Sequence, residues 1–349
     1  MTRPILGFSL LLMLFRVSAV QAQGAQCPQH EIDSPYDAAT LAYWKTRYEP
    51  NIRANLDSVI APVLMAGERA RLASYVLELP LTGRDEPFSY YTTTGAGPRA
   101  ISLSVASIKF MDDVALAAAW LVRHGYSTET IAYYSAVLKC RLPDDFPGRH
   151  YPLPLAALGI PGDALRDPVV DDVAQKILKG AITFVLAHEV GHAVLGHPAS
   201  GSARLSQVRE SQADSFAIAV FRRVGVPPAG LETFFLAATH MALNRGDFLS
   251  DAAWTRYVEQ DATHPLTGRR LRMLASAMRA SPADFTRRER DPAAALNNLR
   301  YMADQLDGLA PLLDDPLLQR HTTLIGSQIP LAELAPRRPG NSWLPGGPR

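Results

Sequence analysis

The most continuous apolar pattern in the interior of the chain runs from Ala181 to Leu195, AITFVLAHEVGHAVL. Nearly every position there is apolar or small, and the main exceptions are Thr183, His188, Glu189 and His192. The wider segment 171–197 reads as one helix, with Asp171 and Asp172 able to cap and charge its start and Gly196 with Pro198 able to end it. A helix that is apolar all round is normally buried. Two imidazoles and a carboxylate inside it then cost several kcal/mol unless something satisfies them.

Upstream, from Pro35 to about Leu79, the pattern is mainly helical, as in Leu56, Ile60, Val63 and Leu64, then Leu72, Tyr75 and Val76. Ser89–Thr94 is followed by Gly95-Ala96-Gly97-Pro98 and then by Ala100–Phe110. In the latter run Ile101, Leu103 and Val105 alternate with Ser102, Ser104 and Ala106, which predicts a β-hairpin. Ile108 and Phe110 fall out of that phase, as a bulge or a strand end would give. Met111–His124 and Ser127–Leu138 read as helices. Residues 141–170 carry Pro143, Pro147, Pro152, Pro154, Pro161 and Pro168 and read as irregular. A packed surface loop is the favoured role for them, and a lid over a site is the alternative.

After the central helix, Pro198-Ala199-Ser200-Gly201-Ser202 makes a short connection, so the helix expected from about Ser202 to Arg223 returns roughly antiparallel. More helices are expected over 229–244, 252–260 and 266–280, and in part over 291–320. The fold expected is α+β, mainly α, with a small β-hairpin or sheet beside the central helix. Its parts are an N-terminal helical region (23–97), a central domain (98–290, with the proline-rich insertion 141–170), a C-terminal helical region (291–335) and a disordered tail (336–349).

Within the central helix, His188 and His192 lie four apart, so their Cβ atoms stand roughly 5–6 Å apart on one face. That suits two nitrogen ligands on one Zn²⁺, with Glu189 placed to take a proton from water. A tetrahedral site needs a third protein ligand. The H-E-x-x-H-x-x-G-x-x-H form fails, because Leu195 and Pro198 stand where it needs Gly and His. Glu210 fits, in a stripe of Glu210, Ala213, Asp214, Ala217 and Phe221 on one face of the next helix. Asp214 can accept the free N–H of a ligating histidine and fix its tautomer, with His188 the favoured partner. His197 is also in reach by sequence, but its direction past Gly196 is open.

Composition changes little. The 349 residues are 47% hydrophobic and 20% charged with a net charge of +1, so nothing points to nucleic acid. The N-terminus does add information. Arg3, the apolar run from Ile5 to Phe15 and Val20-Gln21-Ala22 make residues 1–22 a signal peptide, whose loss takes the charge from +1 to −1. Arg16 keeps that run well short of the ~20 residues a spanning helix needs, and Gln26 before Cys27 spoils a lipobox. The mature chain is expected to be exported, periplasmic or secreted, and not membrane-spanning. Cys27 and Cys140 are the only cysteines, and in an oxidising compartment they are expected to pair, with two buried thiols as the alternative.

H-E-V-G-H-A-V-L-G-H at 188–197, E-S-Q-A-D at 210–214 and Thr263-His264-Pro265 followed by Arg270 together resemble the HtpX-like and CAAX-prenyl-endopeptidase-type zinc metallopeptidases, peptidase family 48 of the gluzincins. The resemblance covers roughly residues 98–280 and looks most like a soluble, exported branch. It lacks the N-A-F-A-x-P-G-G-like strand of that family, where Ala100-Ile101-Ser102-Leu103 stands instead. It implies a zincin-like metallopeptidase domain with one Zn²⁺ on His188, His192 and Glu210, Glu189 as general base and Asp214 in support. It also implies that His264 is catalytic, near the active site. A helix beginning near Pro265 would favour the neutral His264 ring, able to donate to an oxyanion or to meet the zinc. Arg270 either supports the site or joins Arg269 and Arg272 on a solvated face. The function implied is cleavage of peptide bonds in exported or envelope proteins, in protein quality control. The alternative is a zinc-stabilised binding or chaperone-like protein whose site is occluded and weakly active.

Overall fold

A computed structural model describes residues 27–28, 30–84, 86–94, 97–198, 203–257 and 266–339. The expected signal peptide, the turn residues 199–202, Thr263-His264-Pro265 and residues 340–349 lie outside the described residues.

Helix α1 (Ala38–Asn55) starts where the Asp37 carboxylate accepts from the Thr40 N–H. A π turn (Leu56–Ile60) and a 3-10 turn (Ala61–Val63) lead to α2 (Ala66–Leu72). Three short strands follow: β1 (Val76–Glu78), β2 (Tyr90–Thr93) and β3 (Ala100–Leu103). They form one sheet in the order β1-β3-β2. The expected hairpin is β2 antiparallel to β3, with Thr92 opposite Ile101. β1 pairs parallel to β3, with Leu77 opposite Ile101, in a stretch whose spacing reads as helix. Its own signal is short: exposed Val76 and Glu78 flank buried Leu77, a period of two over three residues. The sheet therefore spans the expected boundary at 97/98.

β3 is also shorter than the alternation suggests. Ser104 accepts from the Ser107 N–H and caps α3 (Val105–Arg123), so Ile108 and Phe110 leave the strand phase because they are helical. Helix α4 (Glu129–Cys140) follows, and residues 141–167 then wind through short turns and the one-turn α5 (Pro154–Ala157). Phe146, Tyr151, Leu158, Ile160 and Ala164 of this segment are buried in the common core, which makes it a packed loop along its length.

Helix α6 (Pro168–Leu195) begins ahead of the expected Asp171. Asp167 is the cap, accepting from the Val169 N–H, and Pro168 occupies the first helical position, where its missing N–H costs nothing. The helix ends as expected at Gly196, whose φ of +71° suits glycine. Every residue from Ala181 to Val194 is buried. Among the described residues α6 alone is long and apolar enough to cross a membrane, yet most of it lies inside the protein.

The rest of the described residues are mainly helical: α7 (Ala203–Val224), α8 (Leu231–Met241), α9 (Asp251–Arg256), α10 (Gly268–Ala280), α11 (Pro292–Asp314) and α12 (Pro316–Gln328). α6 is the axis, with α3 and α7 against it, α10 between α7 and α11, and α12 on α4. The result is a mainly helical α+β fold with a small three-stranded sheet. At the far end, Ser127 N–H donates to the Arg337 carbonyl and Arg338 lies over the Tyr126 ring, so Arg337 and Arg338 of the expected tail are held against the α3–α4 turn.

Cys27 and Cys140 are joined in a disulfide that ties the N-terminal segment to the end of α4, across 113 residues of sequence. Closing so long a loop removes unfolded-state entropy. Cys27→Ser should therefore lower stability by about 2–5 kcal/mol in denaturant melts, and reductant should do the same to the unaltered chain. A shift within error in both would contradict this.

Candidate metal centre

The close approach of α6 and α7 builds the site. Gly191 faces α7, and a Cβ there would lie 3.2 Å from the Ala213 Cα and 3.2 Å from Phe216. Ala213 and Ala217, fully buried, supply the matching small surface. His192 meets Glu210 and His188 meets Asp214, so the two helices run antiparallel with their polar residues stacked in register.

His188, His192 and Glu210, all buried, turn their donor atoms to one point. The two Nε2 atoms are 3.0 Å apart, and the Glu210 oxygens lie 3.3 Å from His188 Nε2 and 3.2 Å from His192 Nε2. Ligands of a tetrahedral ion with bonds of about 2.0 Å stand roughly 3.3 Å from one another, so the three donors form one face of such a polyhedron. The group could hold a metal ion. Two nitrogens and an oxygen suit several divalent metals and do not by themselves select one.

The supporting contacts continue outwards. Asp214 Oδ1 lies 2.9 Å from His188 Nδ1 and accepts its proton, which makes Nε2 the nitrogen that turns to the other donors and offers them a lone pair once its own proton is displaced. Arg270, near the start of α10, donates through Nε (2.7 Å) and a terminal nitrogen (2.9 Å) to the two oxygens of Asp214. Its other terminal nitrogen is 3.1 Å from Glu210 Oε2. Arg270 is thus a buried partner of both acids and not part of a solvated face.

Burial alone would drive both acids towards neutrality, but the Arg270 guanidinium and the histidines outweigh it. They hold the Glu210 carboxyl well below the usual range and lower that of Asp214. Burial likewise opposes charge on His188, but Glu210 and Asp214 prevail and push it up to about 10.

Glu189 is buried beside these residues, and the Thr92 hydroxyl sits 2.8 Å from its Oε2 and 2.9 Å from its backbone oxygen, linking β2 to α6. His197 stands behind His192, its Nδ1 3.0 Å from His192 Nδ1 and its Nε2 3.0 Å from Gln212 Oε1. Burial and the neighbouring His192 lower its pKa. Of the residues singled out from the sequence, His188, Glu189, His192, Glu210, Asp214 and Arg270 come together, while His264 lies outside the described residues. Thr92, Gln212 and the place of His197 were not foreseen. Nothing local marks Thr92, which reaches the site across 97 positions.

Residues 158–288 match the family model of peptidase U49. The match runs from before α6 to beyond α10 and contains all the clustered residues; it indicates a peptidase family without singling out the HtpX-like and CAAX-prenyl-endopeptidase type. No curated protein and no solved structure matches the chain.

Two outcomes are expected. Arg270→Met removes the cation between two buried acids and should destabilise the metal-free protein by about 3–5 kcal/mol in denaturant titrations; a loss under ~1 kcal/mol would contradict that role. Because the raised pKa keeps His188 protonated at neutral pH in metal-free protein, an incoming ion must displace that proton. Apparent metal affinity should therefore rise by up to about tenfold per pH unit between about pH 7 and pH 9, with proton release in calorimetry, and a flat profile would contradict it.

Proposed function

We propose that this chain is a zinc-dependent endopeptidase with a zincin-like catalytic domain. The observation that carries the reading is the buried convergence of His188, His192 and Glu210 with Glu189 beside them, within a segment that matches a peptidase family. Zn²⁺ fits this mixed nitrogen and oxygen donor set and its tetrahedral spacing. Bound there, the ion supplies Lewis-acid polarisation of a carbonyl and acidifies water.

The residues of the chain do the rest. Glu189 takes the proton from the attacking water and later delivers it to the leaving amine. Thr92, touching the Glu189 carboxylate, restrains its direction. Asp214 fixes the His188 tautomer, and Arg270 holds Asp214 and Glu210 in place. β2 has one strand neighbour among the described residues, and its contact with Glu189 lies beside the reacting groups. An extended peptide laid along its other edge would gain main-chain hydrogen bonds there and present its scissile bond to Glu189. His264 is assigned to oxyanion stabilisation on the family resemblance.

The compartment belongs to the same proposal. The signal-like N-terminus and the Cys27–Cys140 disulfide favour export to an oxidising compartment, with exported or envelope proteins as substrates and quality control as the role.

Glu189→Gln should retain the metal and lose cleavage of an unfolded protein such as casein by at least about a hundredfold, the general-base contribution. Cleavage near the unaltered rate would remove Glu189 from the role.

A further inference from the structure

The two histidines of the centre are supported differently. His188 is held by a carboxylate, whereas His192 Nδ1 meets a second imidazole, that of His197, which in turn meets the amide of Gln212. We infer that His197, oriented by Gln212, is a positioning residue that fixes the tautomer and ring direction of His192. The inference rests on the reading of His188, His192 and Glu210 as a metal site.

With His192 as a ligand, the contacts among the described residues fit one another in the following arrangement. His192 Nε2 points at His188 Nε2 and Glu210, so as a ligand it must offer a lone pair there. Its proton then sits on Nδ1 and can be given only to an acceptor. His197 Nδ1, 3.0 Å away, is that acceptor, so the His197 proton sits on Nε2. From Nε2 it goes to Gln212 Oε1, also 3.0 Å away. Reversing the Gln212 amide would put a donor against His197 Nε2, force the His197 proton onto Nδ1 and push the His192 proton onto the nitrogen that faces the metal position. The chain Gln212–His197–His192 thus sets the open nitrogen of His192 without adding a negative charge.

The geometry of the backbone supports this. Gly196, with φ +71°, turns the chain back at the end of α6, and the His197 N–H donates to the His192 carbonyl at 3.1 Å. His197 is thereby anchored to the residue it orients, and its ring is buried, while Gln212 lies on the exposed side of α7.

The test compares Zn²⁺ and Co²⁺ binding by the full chain with that of three variants. Asn Oδ1 occupies nearly the position of His Nδ1, so His197→Asn keeps an acceptor for His192, whereas His197→Leu keeps bulk alone. His197→Leu should weaken Zn²⁺ binding by about ten- to a hundredfold and alter the visible spectrum of bound Co²⁺, and His197→Asn should recover most of both. Gln212→Met, at an exposed position where folding is not at stake, should weaken binding severalfold. Equal losses in His197→Leu and His197→Asn, or wild-type binding and spectrum in His197→Leu or Gln212→Met, would overturn the inference while leaving the metal centre standing. A wild-type chain that binds neither ion would overturn the metal centre and this inference with it.

Discussion

The contact on which the site depends is the buried meeting of Asp214 with Arg270. Asp214 is fully buried, and stripping a carboxylate of water costs several kcal/mol unless a partner replaces it. Arg270 does so with two hydrogen bonds, and the same guanidinium reaches Glu210. Asp214 also accepts from His188. One ion pair therefore locks three helices, α6, α7 and α10, in a single register. Slip any of them by a turn and a charge is left in the core. Such pairs contribute little net stability against an apolar alternative but strongly penalise wrong arrangements.

The same cluster is one that could hold a metal ion. Glu189, Glu210 and Asp214 bring three carboxyl groups into a buried region where Arg270 supplies one permanent positive charge and, without a metal, the His188 proton supplies a second. A divalent ion among His188, His192 and Glu210 balances that excess, and at the donor spacing observed it needs no rearrangement of the backbone. Around it the fold supplies a rigid helical frame on one side and a short strand on the other. Thr92 joins the two at Glu189, and the proposed peptide track runs along β2.

Much of this is legible in the sequence. The helix spacing of His188, Glu189 and His192 survives in any buried helix, so those residues could be placed from periodicity. The small-residue stripe of Ala213 and Ala217 predicted close packing, and with it the arrival of Glu210 and Asp214. Short structure was less visible. β1 has a single inward residue, Leu77, which cannot outvote a neighbouring helical pattern. Ser104 reads as one more polar position in an alternating strand until its hydroxyl is seen capping α3. Asp167-Pro168 was a helix start hidden inside a proline-rich stretch. Arg270 could be placed only through a motif, since its burial depends on α7 and α10 meeting. Thr92 and Gln212 are brought in by tertiary proximity with no local pattern to announce them, whereas His197 is in reach by sequence and only its direction is set by the turn at Gly196.

The most direct test of the central claim is anomalous X-ray scattering from crystals of the full chain, recorded on both sides of the zinc absorption edge. One zinc peak per chain is expected, within bonding distance of His188 Nε2, His192 Nε2 and a Glu210 oxygen. A peak coordinated elsewhere, or crystals of protein supplied with zinc that show none at these three side chains, would contradict it.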